Sequence, residues 1–126
     1  MTNGLLDTSV LVPLDAAGLI DRPGTYAISV LSIAELHKGI AGASGARQRA
    51  ERVARLALIE QLFEALPVDR RIAVKYGEIA ARTRRLGHPP HVIDGLIAAT
   101  AIVHGVPVVT RDDDFDRIPD VKVVRV

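Results

Sequence analysis

The sequence predicts an α/β fold in which a mostly parallel central sheet lies between layers of helices, a three-layer sandwich. Short apolar, β-branched stretches alternate along the chain with longer stretches in which apolar residues recur every three or four positions. The chain of 126 residues is long enough to bury one core but too short for two independent ones. We therefore predict a single domain over residues 1–126.

The first half of the chain is predicted to contain two strand–helix units and a long helix. A short strand at Gly4-Leu5-Leu6 leads into a helix start at Asp7-Thr8-Ser9. Residues 26–30 are β-prone, and residues 32–40 follow as a helix. Apolar residues at helical spacing over 47–66 predict an amphipathic helix that ends before a proline.

The second half is predicted to contain two more helices and two strands. Residues 72–86 continue the amphipathic spacing, so this helix is expected to form a hairpin with the one before it. Residues 92–103 form a largely apolar helix, and the β-branched run 106–109 follows as a strand. The alternating segment 121–124 is typical of a final edge strand.

The composition excludes several classes of protein. With 48% hydrophobic and 25% charged residues, the chain has no stretch that approaches a membrane span. The first residues lack the basic segment and apolar run of a signal peptide, so we expect a cytoplasmic protein. The absence of cysteine excludes disulfides and thiolate zinc sites. A net charge of +1 and 3% aromatic residues do not indicate a protein that binds single strands by base stacking.

Acidic residues stand where predicted strands end or helices begin. They are Asp7, Glu35, Asp94 and the run 112–114. In an open α/β sheet the loops at the carboxyl ends of the strands meet in one crevice, so these distant residues can share a pocket. Converging carboxylates raise one another's pKa values unless a cation neutralises them, and hard oxygen ligands favour Mg²⁺ or Mn²⁺.

Each acid also has a purely structural explanation. Asp7 can cap a helix, Glu35 stands at capping-box spacing from Ser32, and Asp94 lies in a first helical turn, where the macrodipole stabilises a carboxylate. The run 112–114 can be a polar turn. These explanations do not predict that all the acids group at one end of the strands, so we favour the shared pocket.

Four segments in order carry a family resemblance: Leu5 to Val10, Ser29 to Leu36, Asp94 to Ala101 and Val109 to Phe115. Their order and spacing resemble those of PIN domains. More closely, the chain is similar over essentially its whole length to VapC toxins, the ribonuclease components of type II toxin–antitoxin modules. The resemblance implies a metal-dependent endoribonuclease that hydrolyses RNA phosphodiester bonds with a Mg²⁺-activated water. It also implies a homodimer and a cognate VapB-like antitoxin whose tail covers the acidic cleft.

The resemblance also implies roles for individual residues. The catalytic acids would be Asp7, Glu35, Asp94, Asp112 and Asp114. Asp7, Asp94 and Asp112 would hold Mg²⁺, which Mn²⁺ can replace. Glu35 would order metal-bound waters or a second ion. Ser9 and Thr110 would support the site, and either Asp112 or Asp114 is the main fourth acid.

The sequence offers further candidates for the site and two alternative functions. Arg82, Arg84 and Arg85 are candidates for RNA binding, although cations also suit a helix C-terminus. His91, three residues before Asp94, is a candidate for the lining of the cleft. The same fold can also serve as a catalytically silent module that binds RNA or protein. A receiver-type phosphoacceptor domain needs paired acids after the first strand, where this chain has one.

Overall fold

A computed structural model of the chain describes residues 2–12 and 23–126. Within them a five-stranded sheet forms in the order β3-β2-β1-β4-β5, and every neighbouring pair of strands is parallel. The strands are β1 (Gly4–Leu6), β2 (Tyr26–Ser29), β3 (Glu64–Leu66), β4 (Val108–Thr110) and β5 (Val123–Arg125). The predicted α/β class and parallel sheet are confirmed, and the last strand lies at an edge as expected.

Five helices connect these strands in the described part of the chain. They are α1 (Thr8–Leu11), α2 (Val30–Ala41), α3 (Gly45–Leu62), α4 (Arg70–Arg85) and α5 (Val92–His104). Local side chains set several of their starts: Ser29 accepts from the Leu31 amide at 3.0 Å and Asp69 from the Ile72 amide at 3.0 Å. Gly105 ends α5 at φ 68°, a left-handed conformation that glycine adopts without strain. None of the helices in this part is long and apolar enough to cross a membrane.

Alternation along the strands sends neighbouring side chains to opposite faces of the sheet. Leu5, Ala27 and Val108 pack with α4 and α5, whereas Leu6, Ile28 and Val109 pack with α1, α2 and α3. All six side chains are at most 2% exposed. Helices therefore cover both faces, and the three-layer sandwich predicted from the sequence is confirmed.

The predicted helix over 47–66 is wrong at its end. Helix α3 stops at Leu62, and residues 64–66 form strand β3, whose Ala65 pairs with Ile28 of β2. Three residues are too few to show a strand pattern, so only the pairing partner distinguishes this segment from a last helical turn. The predicted helical hairpin is also wrong, because β3 separates α3 from α4 and the latter packs against α5.

The capping-box alternative for Glu35 is contradicted. Strand β2 ends at Ser29, one residue earlier than predicted, and this serine caps α2. Ser32 instead lies inside the helix and is fully buried. Glu35 therefore does not cap α2, and its side chain lies at the carboxyl ends of the strands.

Candidate active site

The acidic residues meet where the strand order reverses. From central β1 the chain builds β2 and β3 on one side, then adds β4 and β5 on the other. The crevice beyond the carboxyl ends of β1 and β4 is thus a topological switch point, the usual ligand position in open α/β sheets. Asp7 follows β1 directly, and Thr110 is the last residue of β4.

A pocket of about 470 Å³ opens at this point. All five predicted acids line it, although they are separated by up to about a hundred residues of sequence. Their neighbours in the lining include hydroxyls from the start of α1 and residues from the start of α5. The lining residues are Asp7, Thr8, Ser9, Val12, Glu35, His91, Val92, Ile93, Asp94, Asp112 and Asp114.

Thr110 links the acids on its two sides. Its fully buried hydroxyl lies 3.0 Å from a carboxylate oxygen of Asp7 and 3.0 Å from one of Asp112, and its single proton is donated to one of them at a time. It accepts from the Asp112 amide at 3.2 Å. Ser9 lies 3.2 Å from the same hydroxyl and accepts from the Arg111 amide at 3.0 Å. These contacts fix the side chain of Asp7, which is 5% exposed.

Glu35 is held separately, by Thr8. The Thr8 hydroxyl donates to a Glu35 carboxylate oxygen at 2.6 Å and lies 2.9 Å from the Ser32 hydroxyl. Sequence reasoning did not assign a site role to Thr8 or Ser32. Thr8 could have been found from the sequence, because its hydroxyl directly follows Asp7. Ser32 could not, because its contact with Thr8 depends on where α2 begins.

Electrostatic repulsion is concentrated at Asp94. Desolvation by burial, together with the charges of Asp7, Asp114 and Glu35, raises its pKa from 3.8 to about 6, while His91 opposes the shift. Desolvation and the charges of Asp112, Asp113 and Asp7 also raise the pKa of Asp114. Among the described residues, no side chain donates a hydrogen bond to Asp94. The pocket therefore concentrates more negative charge than its protein surroundings balance.

This charge imbalance and the donor chemistry fit a hard divalent cation. Carboxylate oxygens are the ligands that Mg²⁺ and Mn²⁺ prefer. Across residues 2–12 and 23–126, no three acidic or histidine side chains are already arranged as a closed ligand set. Such a set is not required, because Mg²⁺ in proteins usually keeps several waters and takes only one or two carboxylates.

The predicted arginines do not line the acidic pocket. Arg82, Arg84 and Arg85 occupy the last turn of α4, where cations stabilise the helix end. Arg82 pairs with Asp120 at 3.1 Å, and the other two side chains are exposed. His91, by contrast, lines the pocket from the N-cap position of α5, where its side chain makes no capping hydrogen bond.

Comparison with known proteins gives the family. Residues 4–121 match the PIN domain family. Ribonuclease VapC4 of Mycobacterium tuberculosis is 32% identical to this chain, and the match covers 97% of this chain and 95% of VapC4. Ribonuclease VapC5 of the same organism is 33% identical, and the match covers 98% of this chain and 95% of VapC5. The crystal structure of VapBC-5, a member of the VapBC family of toxin-antitoxin systems from that organism, has a TM-score of 0.88 at 33% identity and covers 100% of both chains. The chain therefore belongs to the PIN domain family and, within it, to the VapC ribonucleases.

Proposed function

We propose that this protein is a Mg²⁺-dependent endoribonuclease, in which Mn²⁺ can replace Mg²⁺, and the toxin of a toxin–antitoxin pair. The observation that carries this proposal is the pocket at the switch point, where five carboxylates converge and where burial, together with the charges of Asp7, Asp114 and Glu35, raises the pKa of Asp94. A phosphodiester is anionic, so carboxylates alone would repel it. A bound divalent cation supplies the missing positive charge and lowers the pKa of an attacking water.

The residues of the acidic pocket would have different roles in binding the ion. Asp7, Asp94 and Asp112 would hold the ion directly or through water. Thr110 keeps Asp7 and Asp112 oriented through its hydroxyl contacts. Glu35, fixed by Thr8, faces the same pocket and would order the waters on the ion. No side chain needs to act as a nucleophile.

The proposal includes partners and location. VapBC-5, which this chain resembles over its full length, is a toxin–antitoxin system, so we propose a VapB-like antitoxin that covers the acidic pocket. A homodimer, a single domain over residues 1–126 and a cytoplasmic location belong to the same proposal. The competing function, a silent PIN-like module that binds RNA or protein, gains no specific support because all the acids face the pocket.

Cleavage of structured and single-stranded RNAs by the purified protein tests this function. We expect cutting with Mg²⁺ or Mn²⁺ and none with EDTA, because no lysine or arginine among the described residues lines the acidic pocket. Glu35→Gln should slow cutting, whereas Glu60→Gln, a matched change on the exposed face of α3, should not. A folded wild-type protein that binds Mg²⁺ and cuts no RNA would favour the silent module.

Asp112 is proposed as the main fourth acid. Its carboxylate accepts from Thr110 and its amide donates back, whereas the exposed side chain of Asp114 has no hydrogen bond within the described residues. Ligands held by such neighbours bind metal better, and loss of this support typically costs about 10–100-fold. We expect Asp112→Asn to reduce Mg²⁺-dependent cleavage about 10-fold more than Asp114→Asn. A larger loss in Asp114→Asn would reverse the assignment.

A further inference from the structure

A second pocket, of about 290 Å³, adjoins the acidic one, and most of its lining residues have no part in the reaction described above. We call it the side pocket. It shares three lining residues with the acidic pocket, namely His91, Asp94 and Asp114. A group bound in the side pocket would therefore lie directly beside the carboxylates that act on the phosphodiester.

The rest of the side pocket differs in chemistry from the acidic pocket. Pro89, Pro90 and Ile118 contribute apolar surface, while His88 and Arg117 contribute planar, hydrogen-bonding groups. Unpaired RNA bases are commonly recognised by stacking on imidazole or guanidinium planes and by hydrogen bonds to their edges. The side pocket combines these two kinds of contact in one small space.

Among the described residues, one buried side-chain nitrogen of the lining lacks a hydrogen-bond partner. Nδ1 of His88 is buried and makes no hydrogen bond to any described residue. Buried polar atoms in folded proteins are nearly always hydrogen-bonded to protein or to ordered water, so this nitrogen keeps a hydrogen-bonding capacity that a group entering the side pocket can use once the ring turns towards it. Nδ1 donates in one tautomer of the ring and accepts in the other, so it matches either kind of group on a base edge.

The walls of the side pocket are held in place by backbone and packing contacts. The His88 amide donates to the Thr83 carbonyl at 3.2 Å, which ties the loop to the end of α4. Next to Pro90, α5 packs so closely on α4 that a Cβ on Gly95 would lie 2.8 Å from Tyr76 Cε1 and 3.6 Å from Pro90. The absence of a side chain at Gly95 permits this approach. The side pocket is therefore formed before any ligand arrives.

We propose that the side pocket binds the base of the unpaired nucleotide next to the scissile phosphate, an inference that rests on the proposed ribonuclease function. A base fits better than a phosphate because Asp94, Asp113 and Asp114 in the lining repel an anion but accept from the amino groups of a base. Ring acceptors can receive hydrogen bonds from Arg117. A volume of about 290 Å³ lies at the small end of ligand pockets, which suits one base and excludes a duplex.

Nucleoside titration followed by NMR tests the side pocket without cleavage. Adenosine, cytidine and uridine are added separately to ¹⁵N-labelled protein in EDTA, with inorganic phosphate as a further arm. We expect at least one nucleoside to shift the His88 ring nitrogens and the Arg117 side-chain resonance saturably, and phosphate to leave them unchanged. Shifts with no nucleoside, or stronger shifts with phosphate, would overturn the proposal.

Two variants sharpen this test. Arg117 is exposed, so Arg117→Met should fold normally and weaken nucleoside binding about 5-fold, the loss of one hydrogen-bonded contact. Arg49→Met removes the same charge from the exposed face of α3 and should leave binding unchanged. In RNA cleavage, Arg117→Met should raise KM and alter the preferred cleavage sequence, with little change in kcat.

The two proposals fail in different ways. Nucleoside binding by a protein that cuts no RNA would support the side pocket and overturn the nuclease function. Metal-dependent cleavage with no nucleoside binding would support the nuclease and overturn the side pocket.

Discussion

Asp94→Asn is expected to abolish metal-dependent cleavage while making the metal-free protein more stable at neutral pH. Asparagine keeps the shape of the side chain but removes the charge that burial and three neighbouring carboxylates oppose. Loss of a residue that merely supports a metal ligand costs about 10–100-fold, so loss of a ligand should cost at least about 100-fold in rate. Cleavage of the best RNA substrate with Mg²⁺ measures this effect.

The pH dependence of stability gives an independent measure of how burial and the neighbouring carboxylates oppose the charge of Asp94. The folded-state pKa of Asp94, about 6, lies above its ordinary value of 3.8, so the folded protein holds this proton more tightly than the unfolded chain does. The metal-free wild type should therefore lose stability as pH rises through this window and stay less stable above it. The pocket is open to solvent, so the loss attributable to Asp94 should be only about 1 kcal/mol.

Urea denaturation in EDTA, at about pH 4.5 and about pH 7.5, compares the variant with the wild type across that window. Asp94→Asn should gain most at the higher pH, and Mg²⁺ should stabilise the wild type more than the variant. Asp116→Asn, which removes an exposed carboxylate paired with Arg125, serves as the matched control and should retain cleavage. Equal stability of Asp94→Asn and wild type at both pH values would show that the carboxylates do not repel one another.

Thr110→Val is expected to damage both stability and activity. Valine has nearly the same shape, but it cannot donate to Asp7 or Asp112, nor form a hydrogen bond with the Ser9 hydroxyl. Asp7 is 5% exposed, so its carboxylate would be left partly unpaired away from water. Such a loss costs about 1–3 kcal/mol. Because Asp7 and Asp112 would no longer be oriented, cleavage should fall about 10–100-fold.

Thr110→Ser distinguishes the contribution of the Thr110 hydroxyl from that of its methyl group. Serine keeps the donor and acceptor and loses one buried methyl, which should cost about 1 kcal/mol in stability and leave cleavage close to that of the wild type. Denaturation and cleavage assays of both variants make the comparison. If Thr110→Val and Thr110→Ser behave alike, the hydroxyl does not organise the site.

Much of the candidate site could be located from the sequence because its acids follow segments with strong local signals. Asp7 comes directly after a fully apolar strand, and Asp94 lies in the first turn of an apolar helix. The parallel sheet then brings strand ends to one edge. The hydroxyls that hold the acids were harder to predict from the sequence, since Thr8 and Ser32 meet only when α1 and α2 pack side by side.

The sequence by itself determined the α/β class, the order of most strands and helices, and which acids line the pocket at the strand ends, because these depend on hydrophobic period and on residues adjacent to strand ends. The tertiary structure alone decided that residues 64–66 form a strand, because three residues acquire that conformation only by pairing with β2. It also decided the helical register that frees Glu35 from capping, and the side pocket beside Asp94. These features depend on contacts between segments distant in sequence, which no local pattern records.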